Sequence, residues 1–236
     1  MKTEYTQRTA RLIGQENVAA LANKTILIFG VGGVGSFAVE AFGRAGIGHL
    51  ILVDADVFDP SNLNRQLGAT TQTIGRKKVD VMKERLLTIN PDIQIDTYDM
   101  FYLPGEQKEF IAQSGADYVV DAIDTTSAKI GIIEEAYRAG IPVISAMGAG
   151  NKLHPEQFEV AYIEKTSVDP LAKILRKELK KRHIHRIKVV YSKEQPHPVH
   201  TETEEQRPSP GSIAFVPSAA GMILAGAVIR DLLHID

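Results

Sequence analysis

Thr25-Ile26-Leu27-Ile28-Phe29-Gly30-Val31-Gly32-Gly33-Val34-Gly35-Ser36 is the stretch that decides the fold. Its first five residues, dominated by β-branched and aromatic types, predict a strand buried on both faces. Gly30, Gly32 and Gly35 then match G-x-G-x-x-G, with Gly33 inside the same turn, and Phe37 to Ala45 predicts a helix. Glycine permits the tight turn and lets the backbone approach a phosphate, while a helix N-terminus points unsatisfied N–H groups at the anion. The next buried strand, His49 to Asp54, ends on an acid, Asp54, where a ribose hydroxyl would be held. Strand, glycine turn, helix, strand and acid together predict a nucleotide-binding unit.

Outward from this unit, residues 4–22 predict a leading helical segment. Residues 55–75 predict an irregular loop, of a length that usually serves a site. Lys77 to Ile89 predicts an amphipathic helix stopped by Asn90-Pro91, and Ile93 to Tyr98 an alternating strand. Tyr118 to Asp124 predicts a buried strand ending on acids. A helix over 127–139 and a strand over 142–147 complete a doubly wound, mainly parallel α/β sheet with right-handed crossovers. The final third reads differently: a strand over 158–163, a helix over 170–182 that is basic on one side, and a strand over 186–191. Residues 193–211, rich in proline and glutamate, predict a mobile loop. Ser212 to Phe215 predicts a short strand before a C-terminal helix from about Ser218. The domain reading is therefore 1–150 for nucleotide binding, with its N-terminal helical segment. A partly antiparallel lobe over 151–236 would serve substrate binding and dimerisation.

The chain has 236 residues, enough for one large α/β domain with a small appended lobe. A formal charge of −2 gives no global sign of a nucleic-acid binder, although a local patch could act as one. There is no cysteine, which removes disulfides, cysteine zinc clusters and any thioester or persulfide on this chain. No apolar signal core precedes Arg8. The most apolar run, Ile213 to Ile229, is interrupted by Pro217 and Ser218, so a buried helix or dimer face is expected rather than a bilayer span. A cytoplasmic protein fits these readings. His197 and His200 lack a convincing third metal ligand, and His154 before Pro155 reads as a turn residue.

A nicotinamide enzyme would need little beyond the glycine loop and one acid. This chain carries more polar machinery at its strand ends: Asp56 after Asp54, Ser61-Asn62-Leu63-Asn64-Arg65-Gln66 in the long loop, Gly75-Arg76-Lys77-Lys78 and Asp121-Ala122-Ile123-Asp124. Two cations and an acid facing one nucleotide suit a triphosphate with bound Mg²⁺, because Arg and Lys neutralise phosphate charge and a carboxylate holds the hard cation. No P-loop occurs, which excludes an ordinary P-loop ATPase.

G-x-G-G-x-G, D-x-D, S-N-L-x-R-Q, G-x-x-K and D-A-x-D, in this order and spacing, resemble the ubiquitin-activating-enzyme-like adenylyltransferase superfamily, which includes the molybdopterin and thiamine biosynthesis adenylyltransferases. The resemblance implies ATP as adenylyl donor to a substrate carboxylate. It places Asn62, Arg65 and Lys78 on the phosphates, Asp54 on the ribose and Asp124 on Mg²⁺. It also implies an arginine supplied by a partner subunit, best matched by Arg8 with Arg11 as the alternative, and hence a homodimer.

Residues 148–155, residues 165–172, Thr9 to Gly14 and the Pro217 to Leu233 ending resemble the tRNA threonylcarbamoyladenosine dehydratase branch. That branch implies activation of the threonylcarbamoyl carboxylate at tRNA position 37, followed by ring closure with loss of AMP. No enzyme nucleophile is needed, which fits a chain without cysteine. A basic segment containing Lys173, Lys177, Lys180, Lys181 and Arg182 would meet the RNA backbone. A monovalent cation and a cysteine-desulfurase or sulfur-relay partner are further candidates. Two other functions stay open: adenylylation of a ubiquitin-like sulfur carrier, and a non-catalytic nucleotide-binding scaffold.

Overall fold

The computed structural model describes residues 4–107, 109–199 and 210–235. Thr25–Phe29 forms β1, His49–Val53 β2, Gln94–Tyr98 β3, Tyr118–Asp121 β4, Val143–Ala146 β5, Phe158–Tyr162 β6 and Lys188–Ser192 β7. They build one sheet in the order β3-β2-β1-β4-β5-β7-β6. All neighbours are parallel except β6 and β7, which are antiparallel. This is the mainly parallel sheet with an antiparallel C-terminal end that the sequence predicts. Ile26, Leu27 and Ile28 have no exposed surface, as a central strand covered on both faces requires.

The helices are Gln7–Ile13 (α1), Gln15–Leu21 (α2), Gly35–Ala45 (α3), Lys78–Ile89 (α4), Phe110–Gln113 (α5), Thr126–Arg138 (α6), Pro170–Lys181 (α7) and Phe215–Leu233 (α8). α3, α4 and α8 cover one face of the sheet through Phe42, Leu86 and Leu224. α5, α6 and α7 cover the other through Ile111, Ile132 and Leu175. Residues beyond 151 contribute to both layers, and their two strands extend the same sheet.

Three local expectations change. The leading segment is two helices, because Gly14 adopts φ +90° and breaks the run between them. Ser212 to Phe215 is no strand: Ser212 is held by Asn64 Nδ2 on its carbonyl at 3.0 Å, and Phe215 already opens α8. Pro217 does not interrupt the apolar run either. It lies in the first turn of α8, where its missing N–H has no partner to lose. α8 is thus long and apolar enough, by length and composition, to cross a membrane, and half of that stretch is buried inside the protein. Of the expected loop over 193–211, residues 200–209, including His200, lie outside the described residues. Its two flanks meet at Asn151, which accepts from His197 N at 2.7 Å and from Gly211 N at 2.6 Å.

Glu40 ties α3 to α4. Burial pushes its carboxyl upward, but hydrogen bonds from Arg85 and Arg44 outweigh this and hold it below the ordinary glutamate value. A lowered folded-state value stabilises the fold above the unfolded value of 4.5 and is lost as pH falls through the folded one. Glu40→Gln is expected to cost about 1–3 kcal/mol at pH 7. In urea melts the difference should shrink as pH drops below the glutamate range.

Candidate active site

The glycine loop leaves β1 at the point where the sheet order reverses, with β2 on one side and β4 on the other. Open α/β sheets bind ligands at such a point. Gly30 has φ +88°, and a Cβ there would stand 2.7 Å from the Ala122 carbonyl oxygen. A Cβ on Gly35 would stand 1.8 Å from the Gly30 oxygen and 3.3 Å from Ala122 Cβ. The D-A-x-D segment therefore presses against the loop, and its alanine is small for that reason. α8 closes the third side. Pro217 lies 3.3 Å from a Cβ on Gly33, and a Cβ on Gly221 would come 2.3 Å from the Val34 oxygen. Gly32 differs: among the described residues a Cβ there would meet only Gln66 Nε2, at 3.7 Å. No side chain caps the start of α3.

Asp54 flanks the loop from β2. Its Oδ2 accepts from Val31 N at 2.6 Å and its Oδ1 from Asp56 N at 2.8 Å. Burial raises its carboxyl above the usual aspartate value, against those N–H groups and nearby Lys78. The carboxylate thus fixes the loop while its remaining lone pairs stay available. Lys78, at the first position of α4, is buried and bonds Asp56 Oδ2 at 2.7 Å. Asn62 is buried in the 3₁₀ turn Pro60–Asn62, where its Oδ1 accepts from Asp59 N at 3.1 Å. Arg65 donates to the Ser61 carbonyl at 2.7 Å and to Asn64 Oδ1 at 3.0 Å, with its stem 3.7 Å from a Cβ on Gly33. Gln66 is buried and its Oε1 has no hydrogen-bond partner among the described residues. A buried acceptor left open beside the least crowded glycine of the loop is what a bound ligand would satisfy.

The two acids of D-A-x-D part company. Asp121 is fully buried and accepts from Lys129 Nζ at 3.1 and 2.9 Å and from Ser145 Oγ at 2.5 Å. Lys129, equally buried, also donates to the Ile123 carbonyl at 2.8 Å. Asp124 is exposed and, among the described residues, its carboxylate meets only Thr125 Oγ1, at 3.4 Å. Lys129 and Ser145 escaped the sequence reading. The single clue was a lysine set among Ala128, Ile132 and Ile133 on the buried face of α6.

Arg8 and Arg11 are exposed on α1 and are not brought to this loop. Thr6, just before α1, packs 3.3 Å from a Cβ on Gly46 at the far end of α3. In the basic segment, Lys181 and Arg182 are engaged by Glu178, and Arg182 also by Glu134. Lys173, Lys177 and Lys180 are exposed, and their ammonium groups have no hydrogen-bond or ion-pair partner among the described residues. Those residues also contain no cluster of three or more His, Asp or Glu able to hold a metal.

The model of the ThiF family matches residues 5–236. The chain belongs to the ThiF family. This ThiF-family chain is 42% identical over 238 residues to the tRNA threonylcarbamoyladenosine dehydratase of Bacillus subtilis, covering 96% of this chain and 93% of that one. It also resembles crystal structures of the Escherichia coli tRNA N6-threonylcarbamoyladenosine dehydratase. The complex with ATP matches with a TM-score of 0.90, and the complex with AMP with 0.89. Identity is 31% in both, over 98% of this chain and 95% of theirs.

Proposed function

We propose that this protein is an ATP-dependent tRNA threonylcarbamoyladenosine dehydratase. The observation that carries the reading is similarity to a named dehydratase over 96% of this chain and 93% of that relative, which embraces the segment after residue 151 as well as the nucleotide half. A threonyl carboxylate oxygen attacks the α-phosphorus of ATP and pyrophosphate leaves. An oxygen or nitrogen of the carbamoyl group then attacks the acyl carbon, the ring closes and AMP departs with the carboxylate oxygen. Sharing one small fragment makes that closure easy. No nucleophile from the protein is needed.

In this reading the glycine loop and the start of α3 hold the phosphates, Asp54 the ribose, and Gln66 Oε1 receives a donor from the nucleotide. Asn62, Arg65 and Lys78 stand on the phosphate side, with Asp56 holding the Lys78 ammonium in place. Asp124 fits a Mg²⁺ ion: it is the unengaged carboxylate of its strand end, and a cation bound there would take its other ligands from the triphosphate and water. Mg²⁺ would neutralise charge on the departing pyrophosphate. The exposed position of Arg8, at the far end of α3, suits delivery to a partner's site in a homodimer. Residues 151–236 would form the substrate and dimer side. A monovalent cation and a sulfur-relay partner have no residues assigned to them.

Two measurements test this. Mass spectrometry of nucleosides from tRNA incubated with protein, Mg²⁺ and ATP should show loss of one water from threonylcarbamoyladenosine, with AMP and pyrophosphate formed. Unchanged tRNA despite ATP binding would defeat the proposal. Separately, Gly32→Ala should fold normally yet weaken binding of a fluorescent ATP analogue about tenfold or more, roughly 1.4 kcal/mol. Gly35→Ala should fail to fold, because its Cβ meets backbone at 1.8 Å.

A further inference from the structure

The dehydratase reading requires a place for the RNA, and one surface runs from the ligand edge of the sheet along α7. Lys152 is buried, donates to the Gly148 carbonyl at 2.7 Å and pairs with Asp169 Oδ2 at 3.7 Å. Gly148 follows β5 at the ligand edge of the sheet. Asp169 Oδ1 accepts from Ala172 N at 2.9 Å and caps α7. The pair therefore anchors the start of α7 to the ligand edge. From there α7 descends to the opposite edge, where β7 begins, a run of about 18 Å at 1.5 Å per residue.

Two chemistries line this run. At the ligand edge, Leu153 and Val168, sequence neighbours of the anchoring pair, are 50% and 40% exposed. Val168 is held at φ +64°, a conformation that a β-branched side chain rarely adopts, so the fold spends strain to present it. Along the helix, Lys173, Lys177 and Lys180 fall within one narrow arc, separated by about 6 and 4.5 Å of rise. Their ammonium groups are unpaired among the described residues, whereas Arg176, Lys181, Arg182 and Lys188 are all bound to protein groups. A row of free ammonium groups suits a phosphate backbone, and exposed apolar side chains suit the faces of unstacked bases.

We propose that the tRNA anticodon arm lies along α7 with a fixed polarity. Loop bases pack on Leu153 and Val168 beside the nucleotide site, and stem phosphates follow Lys173, Lys177 and Lys180 away from it. This inference rests on the dehydratase reading above. It goes beyond that reading by assigning the direction of the RNA and by leaving Lys181 and Arg182 out of the contact.

The test uses the full chain and a tRNA carrying threonylcarbamoyladenosine. A benzophenone amino acid replaces Leu153 or Lys180, ATP is withheld, and cross-links are mapped by reverse-transcription stops. Leu153 should cross-link to the anticodon loop and Lys180 to the stem. Reversed positions, or none from protein that binds the tRNA, overturn the proposal. In parallel, Lys173→Glu/Lys177→Glu/Lys180→Glu should raise the KM for tRNA roughly tenfold or more and lower the salt slope of binding by roughly 2, with ATP-analogue affinity unchanged. If the unaltered protein dehydrates tRNA while this variant keeps its KM and salt slope, the polarity proposal fails and the dehydratase reading stands. If the unaltered protein neither binds nor dehydrates tRNA, both fall.

Discussion

Asp124→Asn is expected to lower adenylate formation by roughly 10²–10³-fold, the range seen when one charge-stabilising group is removed from an active site, while leaving stability within about 0.5 kcal/mol. The second half of that expectation follows from geometry. Asp124 is exposed and, among the described residues, its side chain has one hydrogen-bond partner, Thr125 Oγ1, at a long 3.4 Å. Its charge pairs with no cation among those residues. The first half follows from its place: it lies two residues beyond Ala122, whose atoms leave no room for a Cβ on Gly30 and stand 3.3 Å from one on Gly35, the glycines of the loop that would hold the triphosphate. Asparagine keeps the size and one carbonyl oxygen but loses the negative charge that a hard cation prefers. ATP–pyrophosphate exchange in the presence of tRNA, read beside a thermal melt, separates the two halves. Full exchange at ordinary Mg²⁺ would remove Asp124 from the metal site.

The sheet was legible in the sequence because its strands are short continuous apolar runs, and periodicity combined with turn residues fixes such runs closely. Thr25–Phe29 reads residue for residue and His49–Val53 to within one residue, whereas the strand expected over Tyr118 to Asp124 stops at Asp121. The misreadings have a common cause. Pro217 reads as a break, and Ser212 to Phe215 as a strand, because a window of sequence cannot show what supplies hydrogen bonds. In the folded chain Asn151 and Asn64 bind the backbone before α8, so no sheet edge is needed there. The polar residues of the site were legible as types at strand ends, but not in their division of labour. Asp121 and Asp124 look alike in D-A-x-D. Only the arrival of Lys129, one helical turn into α6, and of Ser145, across the β4–β5 ladder, makes the first structural and leaves the second free.

That division leads to the second large effect. Lys129→Met is expected to destabilise the protein by about 3–5 kcal/mol, because it leaves the Asp121 carboxylate fully buried without its countercharge. Ser145 Oγ and the Ile123 N–H at 3.3 Å would still donate to that carboxylate, yet neither carries charge. Asp121→Asn should cost a similar amount by stranding the ammonium, which would keep only uncharged acceptors, the Ile123 carbonyl and the asparagine amide oxygen. The double variant Asp121→Asn/Lys129→Met removes both charges, so it should lose much less than the sum of the single changes, since the penalty in each is largely that of one uncompensated ion. Urea denaturation of the four proteins gives the coupling directly. Additive losses would mean that solvent or another group compensates each charge, and that the pair does not hold the β4 end. The functional consequence follows from the same bonds. Lys129 grips the Ile123 carbonyl, one residue before Asp124, so a double variant that recovers stability without recovering adenylate formation would show that this lysine also sets where Asp124 stands.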